Sequence, residues 1–246
     1  LKYKERSYRE KFRQGDLYHF QVAIKQTDLD IGIRRDRFSS KIVEFVRKTV
    51  LKQRELLEKY IEEDHVFLHS LTPCSLKPGA PQIAIDMAEA ARAAGVGPMA
   101  AVAGAFAHYV GSSLARRSRD VIVENGGDIY MRSARPRRIG VFAGCSPLSN
   151  RLALLIRPED TPLGICTSSG TVGHSLSLGK ADAVVILAPS AMLADAVATA
   201  AGNLIQTKDD VQKAAEFATR INGVGGALVI KDDRLAACGK LKIVPF

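Results

Sequence analysis

The run Ala181–Ala188, ADAVVILA, is the stretch that most narrows the fold. After Asp182 it is apolar at every position. Successive side chains of a strand point to opposite faces, so a strand with no polar alternation must be covered on both sides. The chain that contains it therefore needs a layer above this strand and another below. With 246 residues and 46% hydrophobic content, there is enough apolar surface for one large domain or two small ones.

The surrounding pattern mixes strands and helices. LYHFQVAI (17–24) and Leu29–Ile33 read as strands of a hairpin turned at Gln26-Thr27-Asp28. From Phe38 to Glu63 the apolar positions take a helical period, with Ile42, Val43, Phe45, Val46, Val50, Leu51, Leu56 and Leu57 on one broad stripe. SLTPCSLKPGAPQ (70–82) carries three prolines and reads as an internal loop or linker. Helices are expected over 83–94 and 99–117, the second rich in Ala and Gly, which suits close helix packing as well as close approach of a ligand. Strands follow at 121–123, 129–132, 138–142 and 152–156. Beyond ADAVVILA come helices over 190–205, with Ser190 as N-cap, and 208–220. ALVIK and KLKIV close the chain as strands joined near Asp232-Asp233. The expectation is an α+β fold of mixed and antiparallel sheets with packed helices, organised as a single domain over 1–246.

Lys and Arg outnumber Asp and Glu by 35 to 26, a formal charge of +9. No zinc finger, RNP segment or aromatic-interleaved basic motif accompanies that excess, so nucleic acid is not the expected partner. Cys74, Cys145, Cys166 and Cys238 form no Cys-x-x-Cys pair. Reduced thiols of a cytoplasmic protein are the expectation, against the alternative of Cys145, Cys166 and His174 meeting at a metal. The charged opening LKYKERSYREKF lacks an apolar core behind it, and Met99–Ala107 is too short to span a bilayer. A cytoplasmic protein outside the membrane is expected.

Three places carry candidate chemistry. VIVENGGDIY (121–130) has a strand that ends in Asn125, Gly126, Gly127 and Asp128 and then resumes. Asn-Gly is a hairpin signal, but two glycines also let backbone come close to a ligand. TSSGTVGHS (167–175) sets Thr167, Ser168, Ser169 and Gly170 ahead of His174. Glycine-supported N–H groups with added hydroxyls suit phosphate oxygens; a surface turn has the same composition. His174 fits a general base or a loop histidine that fixes backbone, and His108 fits a packed role. Third, Asp195 and Thr199 stand four apart on a helix and share a face, fit for Mg²⁺ through oxygen ligands or for helix-dipole and back-bonding roles. Walker and dinucleotide G-x-G-x-x-G spacings are absent from the sequence.

Taken in order, AVAGAFA (101–107), ENGGDI (124–129), CTSSG (166–170) and LADAVAT (193–199) resemble the four motifs of the ApbE family of flavin transferases. A nearer likeness is to a group of short, uncharacterised cytoplasmic proteins related to ApbE. They similarly carry GVGPMAAVAGA, VENGGDIY and TSSGTVGHSLSLGKAD, and the likeness runs over nearly the whole chain. The resemblance implies an ApbE-like fold and a Mg²⁺-assisted reaction on FAD, with the metal held by Asp195, Thr199 and the Ala103 carbonyl. It implies attack on the FMN-side phosphorus by a Thr or Ser hydroxyl of an acceptor protein, or by water, with AMP leaving. The sequence departs from the family at Gly104, where the family has Lys, at Ala105 and at Phe106, and it lacks a His-x-x-Asp-Pro-x-Thr-Gly segment. A flavin- or nucleotide-binding protein without turnover, and an interaction protein with a basic N-terminal arm, stay open beside the enzyme. A homo-oligomer is compatible with all three.

Overall fold

The computed structural model describes residues 8–171 and 178–246. The chain opens with a short helix, α1 (Tyr8–Phe12), and a hairpin of β1 (Leu17–Ile24) and β2 (Thr27–Arg34). It turns helical through α2 (Ser40–Glu63), α3 (His65–His69), α4 (Gln82–Ala94) and α5 (Val102–Ala115). Strands β3 (Val121–Asn125), β4 (Asp128–Arg132), β5 (Arg137–Gly140), β6 (Leu152–Ile156), β7 (Leu163–Ser168) and β8 (Ala183–Ala188) follow. Helices α6 (Ala191–Asn203) and α7 (Val211–Arg220) precede β9 (Gly226–Lys231), β10 (Arg234–Gly239) and β11 (Ile243–Pro245).

Eight strands form one sheet in the order β1-β2-β3-β4-β7-β8-β9-β10, and β11-β6-β5 form a second. Both are antiparallel, and the α+β class holds. The apolar run lies inside the large sheet, with every residue of β8 buried. Val184, Ile186 and Ala188 join the core under the helices, while Ala183, Val185 and Leu187 join a second core beneath the small sheet. The required two covering layers are therefore helices on one side and three strands on the other. Neighbouring strands divide in the same way: Val121 and Val123 face the helices and Ile122 the small sheet. Among the described residues, no single helix is long and apolar enough to cross a membrane.

Several boundaries differ from the sequence pattern. The partner of β9 is Arg234–Gly239, not KLKIV; of the latter, Ile243 and Val244 enter β11 and pair with β6. β10 is an edge strand of small and exposed residues, so its alternation is faint. β7 extends through the hydroxyl residues as far as Ser168, because β4 and β8 flank it and supply its pairings. In α2 the buried residues are Val46, Val50, Leu57 and Tyr60; Leu51 and Leu56 turn outward. Residues 70–81, between α3 and α4, form no helix or strand.

The small-residue surface of α5 is a packing surface. A Cβ on Gly104 would stand 2.3 Å from the Ala191 carbonyl oxygen, and one on Gly111 would stand 2.1 Å from the Tyr130 ring. On the sheet side, a Cβ on Gly164 would meet the Ala191 Cα at 2.4 Å. The first turn of α6 is thus wedged between α5 and β7 with no space for a methyl group. Gly104→Ala should lower the free energy of unfolding in urea by about 1–3 kcal/mol or more, since the obstructing atoms are backbone. Gly15→Ala, with nothing within 4 Å of the added carbon, should stay within about 0.5 kcal/mol of the parent.

Candidate functional site

The β3–β4 connection answers the question its sequence poses. Asn125 and Asp128 pair directly, which leaves Gly126 and Gly127 as a two-residue turn with φ of 71° and 109°. Both values are positive, as the turn type that matches strand twist requires, and glycine adopts them without a Cβ clash. It is a hairpin turn, and it also lines the largest cavity described in the molecule, of about 920 Å³. Turning and close approach are one feature here.

That cavity wraps the ends of the central strands. On the helix side it meets Ala103, Phe106, Asp195 and Thr199; at the strand ends, Asn125–Asp128 and Thr167–Ser169. Between the two sheets it continues into an apolar chamber walled by Ile129, Ile139, Val141, Leu154 and Val185. Of the residues singled out in the sequence, Ala103, Asn125, Gly126, Gly127, Asp128, Thr167, Ser168, Ser169, Asp195 and Thr199 come together around this one space. Gly170 does not line it: its N–H donates to the Ala181 carbonyl at 2.8 Å. His174 lies outside the described residues. The expectation of a cradle of backbone donors is corrected at three positions. Thr167 N–H donates to the Gly127 carbonyl, Thr171 N–H to Ser169 Oγ, and Gly170 N–H as above. What this rim offers at Thr167 and Ser168 is hydroxyl groups on strand β7.

Asp195 is held across the helix interface, since its Oδ2 accepts the Gly104 N–H at 2.8 Å. The adjoining Ala103 carbonyl accepts from Asn125 Nδ2 at 3.1 Å and keeps a second lone pair. Helix α6 is capped by Ser190, whose side chain accepts from Leu193 N–H, so Asp195 is not its cap. Burial pushes the Asp195 carboxyl up to about 7, against the pull of the Gly104 and Ala103 N–H groups. Asp128 is also raised, first by burial and then by the charge of Asp195, with a hydrogen bond from Cys166 in opposition. Burial likewise pushes up the Cys166 thiol, which donates to the Ala191 carbonyl at 3.2 Å. Neither aspartate has a basic partner among the described residues.

Such a pair is costly to ionise together. A hard cation relieves that cost, and the oxygens of Asp195, Thr199 and Ala103 are of the type it takes. No three His, Cys, Asp or Glu side chains converge for a metal among the described residues. A cation here would therefore rest on carboxylate, hydroxyl and carbonyl oxygens together. The donor set fits Mg²⁺ on that ground.

Two residues outside the expected set complete the wall. Glu124 Oε1 accepts the Gly127 N–H at 2.7 Å, while its Oε2 accepts from Arg9 Nε at 2.6 Å. Arg9 also donates to Asp28 Oδ2 at 3.0 Å and to the Asp28 carbonyl at 2.8 Å. The N-terminal helix thus braces the Gly-Gly turn through one buried guanidinium. Beside it His19 Nδ1 meets Asp30 Oδ2 at 3.0 Å, and Gln14 N–H donates to His19 Nε2 at 3.2 Å. His108 packs edge-on to Tyr130, with ring centroids 5.2 Å apart. Its pKa is lowered by burial, in line with a packed role.

Two outcomes follow for stability. Arg9→Met leaves Glu124 and Asp28 buried without this cation and should cost about 3–5 kcal/mol in urea unfolding. Lys25→Met, at an exposed pair with Glu58, should cost less than about 1 kcal/mol. In chelator, the aspartate pair binds protons more tightly folded than unfolded. Stability should therefore fall as pH rises from about 4 through about 7. Asp128→Asn should flatten that slope in urea titrations at fixed pH.

Comparison with known proteins places this geometry. The family described as AbpE bacteria matches residues 9–232. A UPF0280 protein of Methanococcus aeolicus is 36% identical over 230 residues, covering 92% of this chain and 91% of its own. A UPF0280 protein of Methanopyrus kandleri is 41% identical over 232 residues, covering 91% of each. Among solved structures, the apo form of the Pseudomonas stutzeri flavinyl transferase ApbE superposes with a TM-score of 0.60 at 14% identity, covering 90% of this chain and 94% of that one. The ApbE protein of Thermotoga maritima gives 0.54 at 14% identity, covering 91% and 97%. At that identity these two structures speak to the fold alone. Sequence match and shared architecture agree: the chain belongs to the AbpE bacteria family and has an ApbE-like fold.

Proposed function

We propose that the large cavity binds FAD or a related nucleotide diphosphate together with Mg²⁺, and that the protein moves the FMN moiety onto a Thr or Ser hydroxyl of an acceptor protein or onto water. The observation that carries this reading is the pair of buried carboxylates, Asp128 and Asp195, without a basic partner at the rim of a hydroxyl-lined, ring-sized chamber. Asp195, Thr199 and the Ala103 carbonyl would hold the cation, whose positive charge offsets that of the diphosphate. The hydroxyls of Thr167 and Ser168 would donate to phosphate oxygens, and that of Ser169 would join them by leaving the Ala181 carbonyl. The chamber between the sheets suits a flat apolar ring, and its walls exclude water from it. The hydroxyl oxygen forms a new ester bond to the FMN-side phosphorus as the bond to the AMP oxygen breaks. AMP takes the electron pair, and the hydroxyl proton passes to solvent. His174, in the segment that follows Gly170, would take that proton as a base before solvent receives it. Because the cavity draws on α1, β3, β7 and α6 together, we treat 1–246 as one ApbE-like domain.

A second reading is binding without turnover. It is favoured by position 104, where the family motif has Lys and where the α5–α6 contact admits no Cβ at all. The third, a free basic arm, is disfavoured at Arg9, which is buried in the cavity wall. Incubation of the protein with FAD and Mg²⁺, with AMP followed by chromatography, separates the first two. Release of AMP is expected, reduced on the order of a hundredfold or more in Asp195→Ala. Mg²⁺-dependent FAD binding without AMP would establish the second reading. Absence of both, or equal behaviour of parent and variant, would remove the flavin reading altogether.

A further inference from the structure

At the far end of α5 lies a second cavity, of about 480 Å³, lined by Arg34, Arg37, Arg116, Arg117, Arg119 and Arg132. None of its residues lines the large cavity. Along α5 the nearest lining residues of the two, Phe106 and Ala115, stand about 14 Å apart in axial rise. We propose that this cavity is a binding site for a compact polyanion, a small molecule that bears two or more phosphate groups.

The arginines converge from separate elements. Arg34 ends β2 and Arg37 closes the turn after it, Arg132 ends β4, and the remaining three follow α5. Some of this charge has a local explanation. Arg132 donates to the Ala115 carbonyl at 2.8 Å, Arg117 stacks over Phe45 at 3.9 Å, and cations are favoured at a helix C-terminus. That accounts for neither Arg34, at the end of β2, nor Arg37, in the turn after it. Asp36 is the acid that pairs here, with Arg34 at 2.9 Å and Arg37 at 3.7 Å. Among the described residues no carboxylate lies within ion-pair distance of Arg116, Arg117, Arg119 or Arg132. Asp120, adjacent in sequence, is buried and taken by Ser133, Ala134 and Arg137. Six arginines around one concavity, two of them sharing Asp36, leave a net positive charge that a bound anion would offset.

The chemistry of the wall selects the anion. No lysine lines it, and the guanidinium fork matches phosphate oxygens in pairs. No aromatic ring lines it either, so the stacking platform that single-stranded nucleic acid uses is missing. The volume falls in the range of small-molecule sites, about 300–1,000 Å³. Charge density in a small concavity, without a ring-binding surface, describes a ligand that is mostly phosphate. This inference does not rest on the flavin reading.

The test titrates the full chain with inorganic tripolyphosphate by calorimetry, at about 0.15 M salt and with chelator present, so that no metal–diphosphate complex can form in the large cavity. Saturable binding is expected. It should weaken about tenfold or more in the Arg116→Gln/Arg119→Gln double variant and remain unchanged in Asp195→Ala. Absence of saturable binding, or equal affinity in the double variant, overturns the proposal. Tighter binding of a DNA duplex or of polyglutamate than of tripolyphosphate also overturns it, in favour of a macromolecular partner. Phenylglyoxal footprinting of the unaltered protein gives an independent measurement. Tripolyphosphate should protect Arg116 and Arg119 but not Arg220, and uniform reactivity would count against the site.

Discussion

Two buried carboxylates at one cavity, neither with a basic partner among the described residues, are the constraint around which the site is arranged. Asp128 and Asp195 come from a strand end and a helix that are 67 residues apart in sequence, and each alone would be expensive to desolvate. The fold offsets part of that expense with N–H groups from the start of α5. This requires α5 and α6 to touch backbone to backbone, and they touch where Gly104 lies against Ala191. The small-residue surface of α5 is thus a condition of the site as well as of the core. A bulkier helix would push the donors of Gly104 and Ala103 away from the acid they support.

The layering supplies the other half of the site. Since β8 is apolar on both faces, the large sheet needs cover from helices and from the three-stranded sheet. The second cover is smaller than the surface it faces, and the chamber lies between the two, walled by Ile139 and Leu154 of the small sheet and Ile129 and Val185 of the large one. Ligand-sized cavities with apolar walls and a few convergent polar groups arise naturally at such places.

Much of this was legible in residues. The unbroken apolar run announced a doubly covered strand, the helical period announced α2, and Asn125-Gly126-Gly127-Asp128 announced a turn. Each of the four motifs that resemble ApbE contributes residues to one cavity; of the site residues expected from the sequence, Gly170 does not line it and His174 lies outside the described residues. What escaped had no periodic or compositional signal. β10 is an edge strand whose exposed Leu235 and small neighbours blur the alternation. β7 carries Thr167 and Ser168, residues of loop-like character that pairing with Val185 and Val184 of β8 holds in a strand. Arg9 sat in a charged opening segment where nothing marks it from Lys11 or Arg13, since only its long-range partners give it a role. Glu124 lies inside VIVENGGDIY, but its partners, the Gly127 N–H and Arg9, are set by the turn and by a distant segment that the local sequence does not mark.

The contact between Arg9 and Glu124 spans 115 positions of chain. During synthesis Arg9 emerges well before the strand it braces, and of the bonds described only those to Asp28 can form before β3 and its turn exist. Loop closure over that distance is entropically demanding, so the brace belongs among the later contacts to form. A molecule can accordingly reach most of its secondary structure while the cavity still lacks one wall. The wall that Arg9 supplies would then be the last part of the cavity to close.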